Sequence, residues 1–214
     1  MAVHQKPVLV IGDKNYSSWS MRPWIAMTAG GIDFEETHVK LRTEETKATI
    51  LRHSPSGTVP ALKLGDVVVP ESLAICEWAA ENSRTGPLLP VDSVARAVCR
   101  AASAEMHSGF ATLRKECPMD ILGRETCHPI SDACRSDIAR IEALWESCRH
   151  HFGAGGPYLF GHFTIADAMF APVVSRFITY GVHLLAEAAD YVATASHHHA
   201  YQAWEAGARA ERGL

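Results

Sequence analysis

The apolar run Val-Leu-Val-Ile at residues 8–11 is followed by a polar turn. Trp24, Ile25, Met27 and Ala29 then recur at helical spacing, so the chain opens with a strand feeding a helix. Gly30 and Gly31 close that helix. Residues 32–39 read as a second strand with partial alternation, and 42–53 as a charged helix or turn. Residues 59–64 form a third strand, Gly65-Asp66 a tight turn, and 67–69 the hairpin partner. Glu71-Ser72 then opens a helix to about Ser83, with Leu73, Ile75, Cys76, Trp78 and Ala79 on its apolar face. Pro60 stands among the apolar residues of the third strand; lacking an amide hydrogen, it suits an edge, a bulge or a cis turn.

The pattern changes at residues 84–92, where Gly86, Pro87 and Pro90 mark a linker that Leu88 and Leu89 anchor to the core. This divides the chain into an α/β domain (1–83), the linker and an all-helical domain (93–214). In the second domain a long helix is expected over 94–117, with Ala95, Val98, Ala102, Met106, Phe110 and Leu113 on one face and Pro118 ending it. After a loop at 124–129, a helix over 131–152 carries Ile138, Ile141, Leu144, Trp145 and Cys148. Thr164 and Asp167, three residues apart before an apolar run, form a capping-box pattern. Pro172 should bend the helix that follows. A last helix is expected over about 200–212.

Composition narrows the function classes. The 214 residues, 47% apolar, accommodate two modest domains. A formal charge of -4 argues against general affinity for nucleic acid or an anionic membrane. No segment approaches the roughly 20 apolar residues that span a bilayer, and residues 1–5 lack a signal peptide's apolar region, so a cytoplasmic protein is expected. Cys76, Cys99, Cys117, Cys127, Cys134 and Cys148 include no C-x-x-C pair. Reduced thiols are therefore expected, without dithiol redox chemistry.

Candidate chemistry begins at Ser17 and Ser18, at the strand-to-helix junction, where free backbone N–H groups and the helix dipole favour an anion. Taken singly, these serines read as caps, Val59-Pro60 as an ordinary strand dipeptide and Glu71-Ser72 as another cap. Their order is more specific: Ser-Ser at the first helix, Val-Pro at the third strand and Glu-Ser at the third helix, within β-α-β-α-β-β-α. On these residues the chain resembles the glutathione transferases over essentially its whole length. The serine-type, zeta-like branch, with bacterial members, is most similar; its S-S-C-S-x-R motif is matched by Ser17, Ser18, Trp19, Ser20 and Arg22.

The resemblance implies a thioredoxin-like domain followed by a helical domain, with glutathione as co-substrate. It assigns Ser17 as the hydroxyl that donates to the glutathione sulfur, with Ser18 beside it, and such a bond lowers the thiol pKa. Val59, before a cis Pro60, would pair through its backbone with the cysteinyl part. Glu71 and Ser72 would hold the γ-glutamyl end. The thiolate would attack a small apolar electrophile, in a homodimer and without a metal. One alternative is a cis-trans isomerase of the maleylacetoacetate type, against which Trp19 in place of the motif cysteine counts. Another is a non-catalytic ligand- or partner-binding protein, against which Ser17, Glu71 and Ser72 speak.

Other features read as structural. The glycines at 153–156 lack the Gly-Lys-Ser/Thr ending of a phosphate loop. His197, His198 and His199 are consecutive and cannot all face one ion from a regular element, so a solvated loop is expected. His107 is the better functional histidine: by resemblance its helix, with Met106, Phe110 and Arg114, faces the electrophile pocket. The nearer reading for His107 is still packing or hydrogen bonding.

Overall fold

The computed structural model describes residues 6–126 and 128–214; the expectations for residues 1–5 and Cys127 fall outside them. The first domain runs β1 (Val8–Gly12), α1 (Ser18–Ala29), β2 (Glu35–Val39), α2 (Thr46–His53), β3 (Ala61–Leu64), β4 (Val67–Pro70) and α3 (Ser72–Glu81). The strands lie in the order β2-β1-β3-β4, with β1 parallel to β2 (Val10 opposite Thr37) and antiparallel to β3 (Leu9 opposite Leu62). Alternation sorts the side chains by face. Leu9, Ile11 and Leu62 join the main core with α1 and α3, while Val10, Val39 and Ala61 meet Ile50 of α2 on the other face.

This is the thioredoxin-like βαβαββα domain expected, with a helical domain after it. That domain comprises α4 (Ser93–Ser108), α5 (Ala111–Glu116), α6 (Asp132–Phe152), α7 (Ile165–Tyr180), α8 (Ala186–Ser196) and α9 (His199–Glu211). Helix α7 is buried along nearly its whole length and packs on α1, α3 and α4. An all-round apolar helix belongs at such a centre. Leu88 is buried, and its carbonyl accepts the Ile165 amide at 2.8 Å, so the linker is pinned to α7; Leu89 packs half-buried against the same core.

Several boundaries differ from the sequence pattern. The helix expected over 94–117 is two helices. The chain turns extended at Gly109, Phe110 takes the left-handed conformation (φ 58°), and the Asp137 carboxylate takes up the free Leu113 amide at 2.9 Å. Periodicity missed the break because Phe110 remains buried across it. Strand β3 starts at Ala61, after a cis Val59-Pro60 bond, so Val59 and Pro60 precede the ladder. Helix α8 was not anticipated, although Ala188, Tyr191, Val192 and Ala195 mark its buried face.

The capping box at α7 is present. The Thr164 amide and hydroxyl donate to Asp167 at 2.8 and 2.9 Å, and the carboxylate also accepts the Leu159 amide and the Tyr191 hydroxyl. Asp167 is buried, and desolvation raises its pKa despite these donors. In the glycine loop, a Cβ on Gly156 would collide with the Gly161 carbonyl, a close backbone approach that explains the glycine without a phosphate. The expected solvated histidine loop is corrected at His198. Its ring is half-buried, stacks on Phe163 at 4.1 Å and caps α9 by accepting the Ala200 amide at 3.2 Å.

Candidate functional site

Ser17 caps α1 geometrically, but its side chain is turned from the helix amides. Its hydroxyl donates to Ser20 Oγ at 2.8 Å, and Ser20 Oγ accepts the Gly12 amide at 3.1 Å. Three residues apart on a helix start, the two hydroxyls share one face. Ser17 and Ser18 are nearly buried and Ser20 wholly so. Ser18 Oγ makes no hydrogen bond among the described residues.

The loop that presents Ser17 is clamped by the second domain. Asn15 Nδ2 donates to Asp120 at 2.9 Å, the Leu122 amide donates to Asn15 Oδ1 at 3.1 Å, and the Trp204 indole N–H donates to the Lys14 carbonyl at 2.8 Å. The Lys14 amide donates to Glu211 at 2.9 Å. Partners this distant along the chain leave no local trace in sequence.

The register that sets Val10 opposite Ala61 carries Val59 and Pro60 toward the end of β1, from which this loop departs. The Val59 amide and carbonyl enter no loop or turn hydrogen bond among the described residues. Glu71 holds φ 82° at the start of α3, and Ser72 Oγ behind it is buried without a partner among the described residues. The orphaned hydroxyl fits a ligand carboxylate, since a buried hydroxyl left unpaired is costly.

His107, at the end of α4, joins these pieces: its Nε2 lies 2.7 Å from Glu71 Oε2, and its ring meets Trp19 edge-on at 5.3 Å. The start of α3 is thereby linked to the start of α1. Met106 and Phe110 instead belong to the core. Trp19 is flanked by two guanidinium groups, Arg22 at 4.2 Å and Arg114 at 5.3 Å from its ring centre. Arg22 is wholly buried. Its Nε donates to the Met169 carbonyl at 3.1 Å, and both terminal nitrogens lack partners among the described residues. Burial, then the charges of Arg176 and Arg114, push its pKa down to about 9. Desolvation also lowers that of Arg114.

The described thiols do not take part. Cys76, Cys99, Cys117, Cys134 and Cys148 are free and buried, and burial raises the pKa of each, to about 12 for Cys99 and Cys117.

Residues 97–209 match the glutathione S-transferase C-terminal domain and residues 16–82 the glutathione S-transferase N-terminal domain. The chain belongs to the glutathione S-transferase family. Among curated relatives of this chain, a probable maleylacetoacetate isomerase from Caenorhabditis elegans is 31% identical over 173 residues, spanning 80% of this chain and 78% of the relative. Glutathione S-transferase Z2 of Arabidopsis thaliana is 30% identical over 171 residues, spanning 75% and 74%. A glutathione transferase homologue from Burkholderia, solved with bound glutathione, superposes with a TM-score of 0.72 at 22% identity, over 96% of this chain and 99% of that chain. It shares the fold. Among the described residues, no helix is long and apolar enough to cross a membrane.

Proposed function

We propose that the protein is a serine-type glutathione transferase in which Ser17 stabilises the thiolate and Val59, Glu71 and Ser72 anchor the tripeptide. The observation that carries this reading is the buried, unpartnered Ser72 hydroxyl beside the Glu71 carboxylate at the start of α3. An ammonium finds a carboxylate there, and a carboxylate finds a hydroxyl and free helix amides. Bound in this way, glutathione supplies a thiolate nucleophile.

The chain's own part is to orient the tripeptide and hold a negative sulfur. Val59, just outside the β3 ladder, offers its amide and carbonyl to an extended peptide. Ser17 turns its proton from Ser20 to the sulfur by rotation about its C–O bond, and Ser20 then donates to Ser17 Oγ. A hydrogen bond to the charged form favours it. Ser18 is the alternative donor, since its hydroxyl is uncommitted.

The acceptor side is read from Trp19, His107 and Arg114, all half-exposed. An aromatic face between guanidinium groups favours an anionic or conjugated acceptor over a purely apolar one. This supports a second reading, an isomerase that adds and expels glutathione on an unsaturated acid, the activity named for the Caenorhabditis elegans relative. The cytoplasmic, homodimeric and metal-free assignments stay part of the proposal by family likeness. Calorimetry with glutathione, then turnover with a generic electrophile and with an unsaturated dicarboxylic acid, tests the readings. Binding with conjugation supports the transferase, isomerisation the second reading, and absence of binding opposes both.

A further inference from the structure

Glu71 and His107 come from different domains, and their side chains meet at 2.7 Å. The Glu71 backbone sits at φ 82°, outside the ordinary range for a residue with a side chain, and such conformations persist where their surroundings over-determine them. His107 is among the groups that meet its side chain. Its ring is held edge-on by Trp19, and its carbonyl accepts Arg114 Nη1 at 3.1 Å. The carboxylate remains 58% exposed and the imidazole 26%, so the pair occupies one side of the carboxylate and leaves the other open. Two polar atoms in this pair and its neighbour, Ser72 Oγ and His107 Nδ1, are buried without partners among the described residues.

We propose that His107 is a positioning residue of the glutathione site. Its Nε2–H fixes the Glu71 carboxylate so that the open oxygen receives the α-ammonium of the γ-glutamyl group. The inference rests on the glutathione reading above and adds a residue from the helical domain to amine recognition. A carboxylate held by one donor gives up less side-chain freedom on meeting a second. Two donors on one carboxylate use both of its oxygens. A packing histidine would behave differently: its loss would weaken every ligand of the site alike.

The test compares glutathione with its desamino analogue, in which a glutaryl group replaces the γ-glutamyl group and only the α-amine is missing. Calorimetry would be run on the wild-type chain, His107→Ala and His107→Gln, with melting temperatures recorded for each. Glutathione should bind His107→Ala about tenfold more weakly, equivalent to about 1.4 kcal/mol, while the analogue should lose less than about twofold. His107→Gln, which keeps an N–H donor, should recover most of the loss. Equal weakening of both ligands, or none, would overturn the role of His107 while leaving the glutathione reading intact. A wild-type chain that binds no glutathione would overturn both.

Discussion

The hydroxyls of Ser17 and Ser20 lie 2.8 Å apart, and the Gly12 amide donates to the buried one. Ser20 Oγ thus accepts from both Gly12 and Ser17, and once Ser17 turns its proton to the sulfur Ser20 donates to it in turn, a chain whose members polarise one another. Ser20→Ala removes the middle of the chain. We expect the pKa of bound glutathione to rise by about half a unit to one unit, with affinity changed less than about twofold. An ultraviolet titration of the thiolate beside a calorimetric binding curve checks both; an unmoved pKa would confine Ser20 to holding Gly12.

Ser72 should separate binding from stability. Its hydroxyl has no partner to lose among the described residues, so Ser72→Ala should leave the melting temperature within about 2 °C of wild type. Glutathione affinity should fall about tenfold, the weight of a hydrogen bond to a charged group. Unchanged affinity by calorimetry would remove Ser72 from the site.

Asp167 should show the opposite separation. Four donors converge on its buried carboxylate, and Asp167→Ala strands them together, at a cost of about 3 kcal/mol or more. The melting temperature should fall by about 6–12 °C, with turnover per folded molecule preserved. Lost turnover with unchanged melting would place Asp167 in the chemistry.

His198 gives the fold an acid-sensitive point. Burial, with His199 adding to it, lowers its pKa from 6.5 to about 4, while its neutral ring accepts the Ala200 amide. The unfolded chain therefore takes up the proton first. The contribution is complete above pH 6.5 and is lost as pH falls toward and through about 4. Asn is also a good N-cap, so His198→Asn should retain helix α9 and flatten the decline in stability across that window, measured by urea unfolding at several pH values. An identical decline in both proteins would assign the sensitivity elsewhere.

Local pattern carried much of this architecture. The strand of 8–11, the hairpin turn at Gly65-Asp66, the capping box of Thr164 and Asp167 and the linker leucine Leu88 each follow from short-range rules, and each is found. The break at Gly109-Phe110 escaped because a buried phenylalanine satisfies helical periodicity on either side of a kink. Helix α8 carries the same periodicity, diluted by the small alanines of its buried face. Of the proposed site, Ser17, Val59, Glu71 and Ser72 stand out through their order along the chain. The Glu71–His107 pair, the cationic flanks of Trp19 and the Asn15–Asp120 clamp did not, because each depends on packing one domain against the other.

Ser17, rather than Ser18, is proposed to hold the thiolate, and the ultraviolet thiolate band of bound glutathione, followed against pH in wild type and two variants, decides between them. Ser17→Ala should raise the pKa of the bound thiol by about one to two units, the weight of one hydrogen bond to a charged group. Ser18→Ala should stay within about half a unit of wild type. A raised pKa in Ser18→Ala with none in Ser17→Ala would exchange the two roles, and a pKa unmoved in both would contradict serine activation of the thiol.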